Sequence, residues 1–145
     1  MEDIINGKSL KQILEDHKHW LMKDVDGWED MRASLRGVDL SEVDLRGATL
    51  CYADLRDTNL ADANLRGASL FNAILSDANL FNVDLSDANL SDADLRGSFL
   101  FHADLHDANL FHTDFDDADL GCADLRGTNR RFADFSGADL TNTYL

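Results

Sequence analysis

From Ala33 onward apolar and polar residues alternate in units of five: ASLRG, VDLSE, VDLRG, ATLCY, ADLRD, and so on to ADFSG, ADLTN and TYL. Every position divisible by five from 35 to 145 falls in one register. Of these 23 positions, 20 are Leu, two are Phe (Phe115 and Phe135) and one is Arg130. Two residues before each, Ala occupies 15 positions and Val, Thr or Ser the rest. A period of five matches neither a helix at 3.6 nor a strand at 2.0, so no straight element keeps these leucines on one side. The backbone must turn once per repeat. Four pentapeptides then close a square coil of about 20 residues, with the Leu and the Ala two before it pointing inward, and coils stacked about 4.8 Å apart pair their main-chain amides. The 113 residues from Ala33 give five to six coils, a rod about 27 Å long.

The pattern changes before Ala33. Residues 9–23, SLKQILEDHKHWLMK, place Leu10, Ile13, Leu14, His17 and Leu21 on one stripe of a helix, and Ser9 and Gln12 have capping-box spacing. Asp24 to Gly27 reads as a turn, with Trp28 and Met31 as apolar filler before the first coil. A solenoid exposes main-chain edge and core at each end, and an amphipathic helix is the expected lid. The predicted division is an N-terminal helical cap, 1–30, and a β-helix, 31–145. At the other end the register runs to Leu145 without a lid. Arg130, inward in the last coil, is expected to snorkel out of an open mouth. Arg130, Tyr144 and Leu145 are the candidate residues for end-to-end homodimer pairing.

Tandem A-(D/N)-L-x-x over about 33–145 resembles the pentapeptide-repeat family. The resemblance implies an all-β fold, a right-handed quadrilateral parallel β-helix, with Leu at the central inward position and Ala at the tight inward corner. The sequence departs from the pattern mainly at Arg130, at Ile74 and Phe99 in the Asp/Asn slot, and at Thr or Ser in five Ala slots. His17-x-x-Trp20-Leu21 is also similar to a segment that precedes the repeats in some bacterial and phage members.

Charge narrows the partners. The chain has 145 residues with 28 acidic against 13 basic side chains, a net charge of −15 and a pI near 4.4. One domain is expected, and direct binding to nucleic acid or anionic lipid is disfavoured because an acidic surface cannot replace condensed counterions. No run of 18 apolar residues occurs, and MEDIINGKSLKQIL lacks the basic and apolar regions of a secretory signal. A soluble cytoplasmic protein without membrane contact is the expectation. Cys51 and Cys122 fall on opposite faces more than three coils apart, so no disulfide is expected.

Positions 20 apart share a face. The leucine column 35 to 115 carries Asp77, Asp94, Asp114, Asp116 and Asp117, and the column 45 to 125 carries Asp84, Asp87, Asp104, Asp107 and Asp124. Between them, the column 40 to 140 presents Phe81, Phe99 and Phe101, and the column 50 to 130 presents Phe71, Phe111, His112 and Phe132. Two acidic faces therefore alternate with two aromatic ones. The stretch 67–125 holds twelve Asp and one Arg, roughly one net charge per 1.3 Å of rod against about one per 1.7 Å for duplex DNA. Asp and Asn before an inward Leu are also turn residues that bond nearby amides, so the acidity has a structural reading beside a functional one. Phe81 above Phe101 reads as a one-coil stack or as part of a partner-binding patch.

Candidate chemistry is sparse. His102 and His112 fall on opposite faces and His106 on a third, so no shared metal sphere is expected. No phosphate loop, nucleophile elbow or calcium-binding β-roll pattern occurs. The expectation is no catalytic residue, no metal and no cofactor, in a non-enzymatic scaffold that binds a protein partner through its acidic or aromatic faces. Similarity to the gyrase-binding, quinolone-protecting members implies an alternative: a mimic of duplex DNA whose partner is DNA gyrase. A weak Ca²⁺-binding or hydrolytic protein is a third, minor reading.

Overall fold

The computed structural model describes residues 4–145, so residues 1–3 of the expected cap, and the side chains of Ile4 and Trp28, lie outside the described part. The chain opens with a two-stranded antiparallel hairpin, β1 (Ile4–Ile5) and β2 (Lys8–Ser9), in register Ile4↔Ser9 and Ile5↔Lys8. Asn6 and Gly7 form its turn with φ of 51° and 84°, the two positive φ values of a type I′ turn that Asn-Gly favours. Helix α1, Leu10–Met22, follows at once, with Ser9 as N-cap accepting from the Gln12 amide at 3.2 Å. The reciprocal half of the expected capping box is absent, because the Gln12 side chain donates instead to Asp16 at 2.8 Å. Lys23 ends the helix in the left-handed region (φ 55°), its N–H donating to His19 O at 2.7 Å.

The period of 20 is explicit in the backbone. Parallel bridges run Ser34↔Asp54, Asp54↔Ile74, Ile74↔Asp94, Asp94↔Asp114 and Asp114↔Asp134 on one face, and the other three faces repeat this register. Each bridge is isolated, since a corner follows every few residues and one residue per side remains extended enough to pair. Around it the ladder is regular: Leu55 N–H donates to Ile74 O (2.7 Å) and Ile74 N–H to Ala53 O (3.0 Å). Each corner is closed within the chain, as where Ala53 N–H donates to Leu50 O at 3.0 Å. The second residue after the inward Leu has φ between 51° and 72° at every repeat from Gly37 to Asn142. A positive φ at the third residue of a corner favours Gly, Asn or Asp there.

The inward columns form one continuous core. Leu35 to Leu125 are buried, as are the alanines two residues before them except half-buried Ala48, and Phe115 stacks on Phe135 within the core at 5.0 Å. The Thr and Ser residues in Ala slots are accommodated by hydroxyl bonds to leucine carbonyls. Thr58 donates to Leu35 O (2.8 Å), Ser98 to Leu95 O (2.5 Å), Thr113 to Leu90 O (2.8 Å), Thr128 to Leu125 O (2.7 Å) and Thr143 to Leu120 O (3.1 Å). A buried hydroxyl without such a partner would cost about 1–3 kcal/mol. Ile5, Leu10, Ile13 and Leu14 pack on the first coil, so the hairpin and α1 close that end of the core.

Candidate interaction surfaces

The expected acidic residues divide into two backbone roles. Asp84, Asp94, Asp104, Asp114 and Asp124 precede an inward residue and accept the amide two residues on, at 3.0, 3.2, 3.1, 3.0 and 3.1 Å. Asp77, Asp87, Asp107 and Asp117 occupy the left-handed corner, with φ from 57° to 60°. Asp77, Asp107 and Asp117 fold over Gly97, Gly127 and Gly137 of the next coil, where a Cβ would collide with their Oδ1 atoms. Every one of the nine carboxylates thus sits where turn geometry favours Asp.

Several are also paired. Arg96 contacts Asp94 at 2.8 Å and reaches Asp114 at 3.6 Å, Arg126 contacts Asp124 at 2.5 Å, and Arg66 reaches Asp87 one coil on at 3.0 Å. The hydrogen bond from Arg96 lowers the pKa of Asp94, and that from Arg126 takes Asp124 down to about 2. His106 lies 2.7 Å from Asp104, whose hydrogen bond raises the histidine pKa. Sequence reasoning sorted these acids onto two faces without pairing Asp94 and Asp124 with the Arg two residues on, a spacing that sets the two side chains beside each other on the outer surface. Among the described residues no group of three or more His, Cys, Asp or Glu is placed to hold a metal ion.

The aromatic residues of the middle coils form a tight group. Phe81, Phe99 and Phe101 lie with ring centroids 6.1–6.5 Å apart and planes within 9° of one another. His102 meets Phe101 edge-on at 4.6 Å. Phe81 and Phe99 are 36% and 40% exposed, among the largest apolar groups offered to solvent away from the ends. On the opposite face Phe111, His112 and Phe132 form a second cluster, with Phe111 to Phe132 at 5.6 Å.

The ends differ. At the first coil His17, fully buried, accepts from Ala33 N–H through Nδ1 (3.1 Å), so Nε2 carries the proton given to Cys51 O (2.8 Å). Its ring stacks on Trp20 at 5.5 Å, and Trp20 continues to Tyr52 and Phe71. The sequence placed His17 on the apolar stripe but gave no sign of these distant backbone partners. In the coil 126–145, Arg130 is exposed as expected for a snorkelling side chain, Leu145 is 67% exposed, and Tyr144 lies under the Arg126 guanidinium at 5.8 Å.

A filled parallel coil with a fixed 20-residue rise, corner turns and a helical lid is a solenoid repeat protein. The repeats are those of the pentapeptide-repeat family, to which the chain belongs: the family profile, pentapeptide repeats, matches residues 31–67, 52–87, 63–100 and 103–142. A solved pentapeptide repeat protein, Rfr23 from the cyanobacterium Cyanothece 51142, is similar at 27% identity and a TM-score of 0.76, covering 86% of this chain and 98% of that one. A pentapeptide repeat protein of the Arabidopsis thaliana thylakoid lumen shows 38% identity over 69% of this chain and 66% of its own, with a TM-score of 0.43. QnrB1, a plasmid-mediated fluoroquinolone resistance protein, shows 19% identity over 77% of this chain and 72% of its own, with a TM-score of 0.42. No curated protein matches the chain. Likeness to the solved family members implies a right-handed β-helix. Among the described residues no helix is long and apolar enough to cross a membrane.

Proposed function

We propose that the protein is a non-enzymatic interaction scaffold, a rigid rod that offers a flat face to a protein partner. The observation that carries this reading is the group of exposed Phe81 and Phe99 with half-buried Phe101 on the middle of a rod whose interior is filled by Leu and Ala. Exposed aromatic clusters on an otherwise charged surface mark contact sites. The test is site-specific photo-crosslinking in cells from Asp77, Asn82, Asp87 and Asp92, one exposed corner on each face. A scaffold gives a discrete adduct from one face and not from its opposite. Uniformly absent or indiscriminate adducts on all four overturn the reading.

The density of twelve Asp against one Arg over 67–125 favours a second reading, mimicry of duplex DNA toward gyrase. The pairing of Asp94, Asp124 and Asp87 with arginines takes part of that field away. A supercoiling titration separates the two. Mimicry gives salt-sensitive inhibition or quinolone protection that is lost when Asp94, Asp104, Asp114 and Asp117 become Asn, and an aromatic-face scaffold gives none.

A further inference from the structure

We propose that the face bearing Phe81, Phe99 and Phe101 is a docking site for an arginine-bearing extended segment of a partner protein. Guanidinium groups stack on these rings, of which Phe81 and Phe99 are exposed and Phe101 half-buried, and Asp62 and Asp119 flank them. This rests on the scaffold reading and assigns its partner chemistry.

Charge is the first argument. The outward residues of this column, at 39–42, 59–62, 79–82, 99–102, 119–122 and 139–142, include no Lys or Arg. The other three columns carry Arg36, Arg56 and Arg96; Arg46, Arg66 and Arg126; and Arg131. On the aromatic column the charges are all carboxylates, with Asp39, Glu42 and Asp62 before the rings and Asp119 and Asp139 after them. The rings themselves present a negative quadrupole face to any cation above them.

That attraction is met elsewhere in the molecule and unmet here. Among the described residues, guanidinium groups lie over rings near the two ends, Arg32 on Trp20, Arg126 on Tyr144 and Arg131 on Phe132, at 5.4–6.0 Å. Phe81, Phe99 and Phe101 have neighbouring rings and, among the described residues, no such cation. The most exposed ring group of the middle coils therefore keeps its cation-binding capacity for something outside the chain.

The group is also held in place. Phe101 lies across Gly121, a buried glycine whose Cβ would stand 2.7 Å from the phenyl Cδ2. His102 braces the same ring from its edge. Rings fixed before contact spare the partner the entropy of ordering them. Their spacing selects an extended ligand, because side chains on one side of a β-strand recur about every 6.6–6.8 Å and the ring centroids are 6.1–6.5 Å apart. An Arg-Xaa-Arg segment in β conformation thus sets successive planar guanidinium groups over successive rings. Arginine is favoured over lysine because its delocalised plane stacks and is less strongly hydrated.

The test is an NMR titration of the full chain with a short blocked peptide of alternating glycine and arginine, and with its lysine counterpart at equal charge. The expected result is saturable shifts of the Phe81, Phe99 and Phe101 ring signals, several-fold tighter for arginine and weakened by salt. Phe81→Ser and Phe101→Ser each weaken binding about two- to five-fold. Gly121→Ala, which dislodges the Phe101 ring while leaving all three phenyl groups in the sequence, weakens it similarly. Asp77→Asn and Asp117→Asn, on another column, leave the ring shifts intact. Preserved amide dispersion shows that each variant is folded. Equal affinity of the two peptides with shifts centred on Asp94 and Asp114 overturns the site while leaving an acidic-face scaffold standing. No saturable shift with either peptide overturns arginine docking, and the crosslinking experiment then decides the scaffold reading by itself.

Discussion

The residue two after each inward Leu stands with φ near +60° at every corner, and that one dihedral decides much of what the outer surface tolerates. An L-residue there costs about 1–2 kcal/mol unless it is Gly, Asn or Asp. Gly47 isolates the effect, since a Cβ at that position meets nothing within 4 Å and only the backbone resists it (φ +64°). Gly47→Ala is expected to lower unfolding stability by about 1 kcal/mol in chemical denaturation, and Gly47→Asn by clearly less. Equal losses would mean that side-chain entropy rather than φ governs the corner. The signal was present in the sequence, with Gly at 37, 47, 67, 97, 127 and 137 and Asp or Asn at 57, 62, 72, 77, 82, 87, 92, 107, 117 and 142. The Leu and Ala register was legible because burial enforces it, whereas the turn role was read onto the Asp or Asn before the Leu. That residue proves to bond the amide two on, while the left-handed position lies three further along. The acidity at Asp77, Asp107 and Asp117 is therefore explained by backbone conformation before any partner is invoked.

Among the elements, α1 is the one whose loss exposes the core, and His17 is its fastening. The histidine accepts the Ala33 amide, as a corner carbonyl does at the equivalent Ala53, and donates to the Cys51 carbonyl, as an amide of the coil before does at the equivalent Phe71. Burial holds its pKa below the ordinary histidine value, with the Arg32 charge acting in the same direction. The folded chain therefore binds this proton less readily than the unfolded chain. The stability His17 contributes is complete above its unfolded pKa, near 6.5, and is lost as pH falls below that value toward the lowered folded pKa, with a slope of at most about 1.4 kcal/mol per pH unit. His106 and His19, raised by Asp104 and Asp24, act oppositely: their contribution is present at low pH and fades as pH rises through their folded values. Both sit at the surface, where solvent screens the effect. His17→Phe keeps a ring beside Trp20 and removes both hydrogen bonds. It is expected to cost about 2–3 kcal/mol at pH 7.5, and the difference from the parent shrinks as pH is lowered to 5. A difference that stays constant with pH would assign His17 a packing role alone. The helix was legible from its stripe and its Ser9 cap. The hairpin was signalled by Asn6-Gly7, but two-residue strands carry no alternation to read. Asp16 lies outside the apolar stripe, yet it is largely buried and joined to Lys8 at 2.5 Å, a contact set by the hairpin folding back onto the helix.

On the scale of the whole rod, the net charge of −15 acts on a body only about 27 Å long. The Debye length is about 30 Å at 0.01 M salt and about 8 Å at 0.15 M. At low salt each carboxylate consequently feels nearly every other, while at physiological salt it feels its own coil and the next one or two. Self-repulsion of this kind opposes the compact state, so the melting temperature should rise with added salt. The exposed Arg96 and Arg126 pairs weaken on screening, but such surface pairs contribute little. Asp77, Asp107 and Asp117 offer the cleanest probe, because Asn suits the left-handed corner as Asp does. The triple Asn variant removes three charges without changing the backbone preference. It is expected to melt about 2–4 °C above the parent at 0.01 M salt and to converge on it at 0.5 M, as differential scanning calorimetry would show. A lower melting temperature at both salts would mean that the carboxylates folded over Gly97, Gly127 and Gly137 bind the next coil more strongly than their charges repel. The field that destabilises the free rod is the same one that draws a cationic segment toward Phe81 and Phe99, so an acidic surface costly to the fold is retained at a gain in encounter rate with a basic partner.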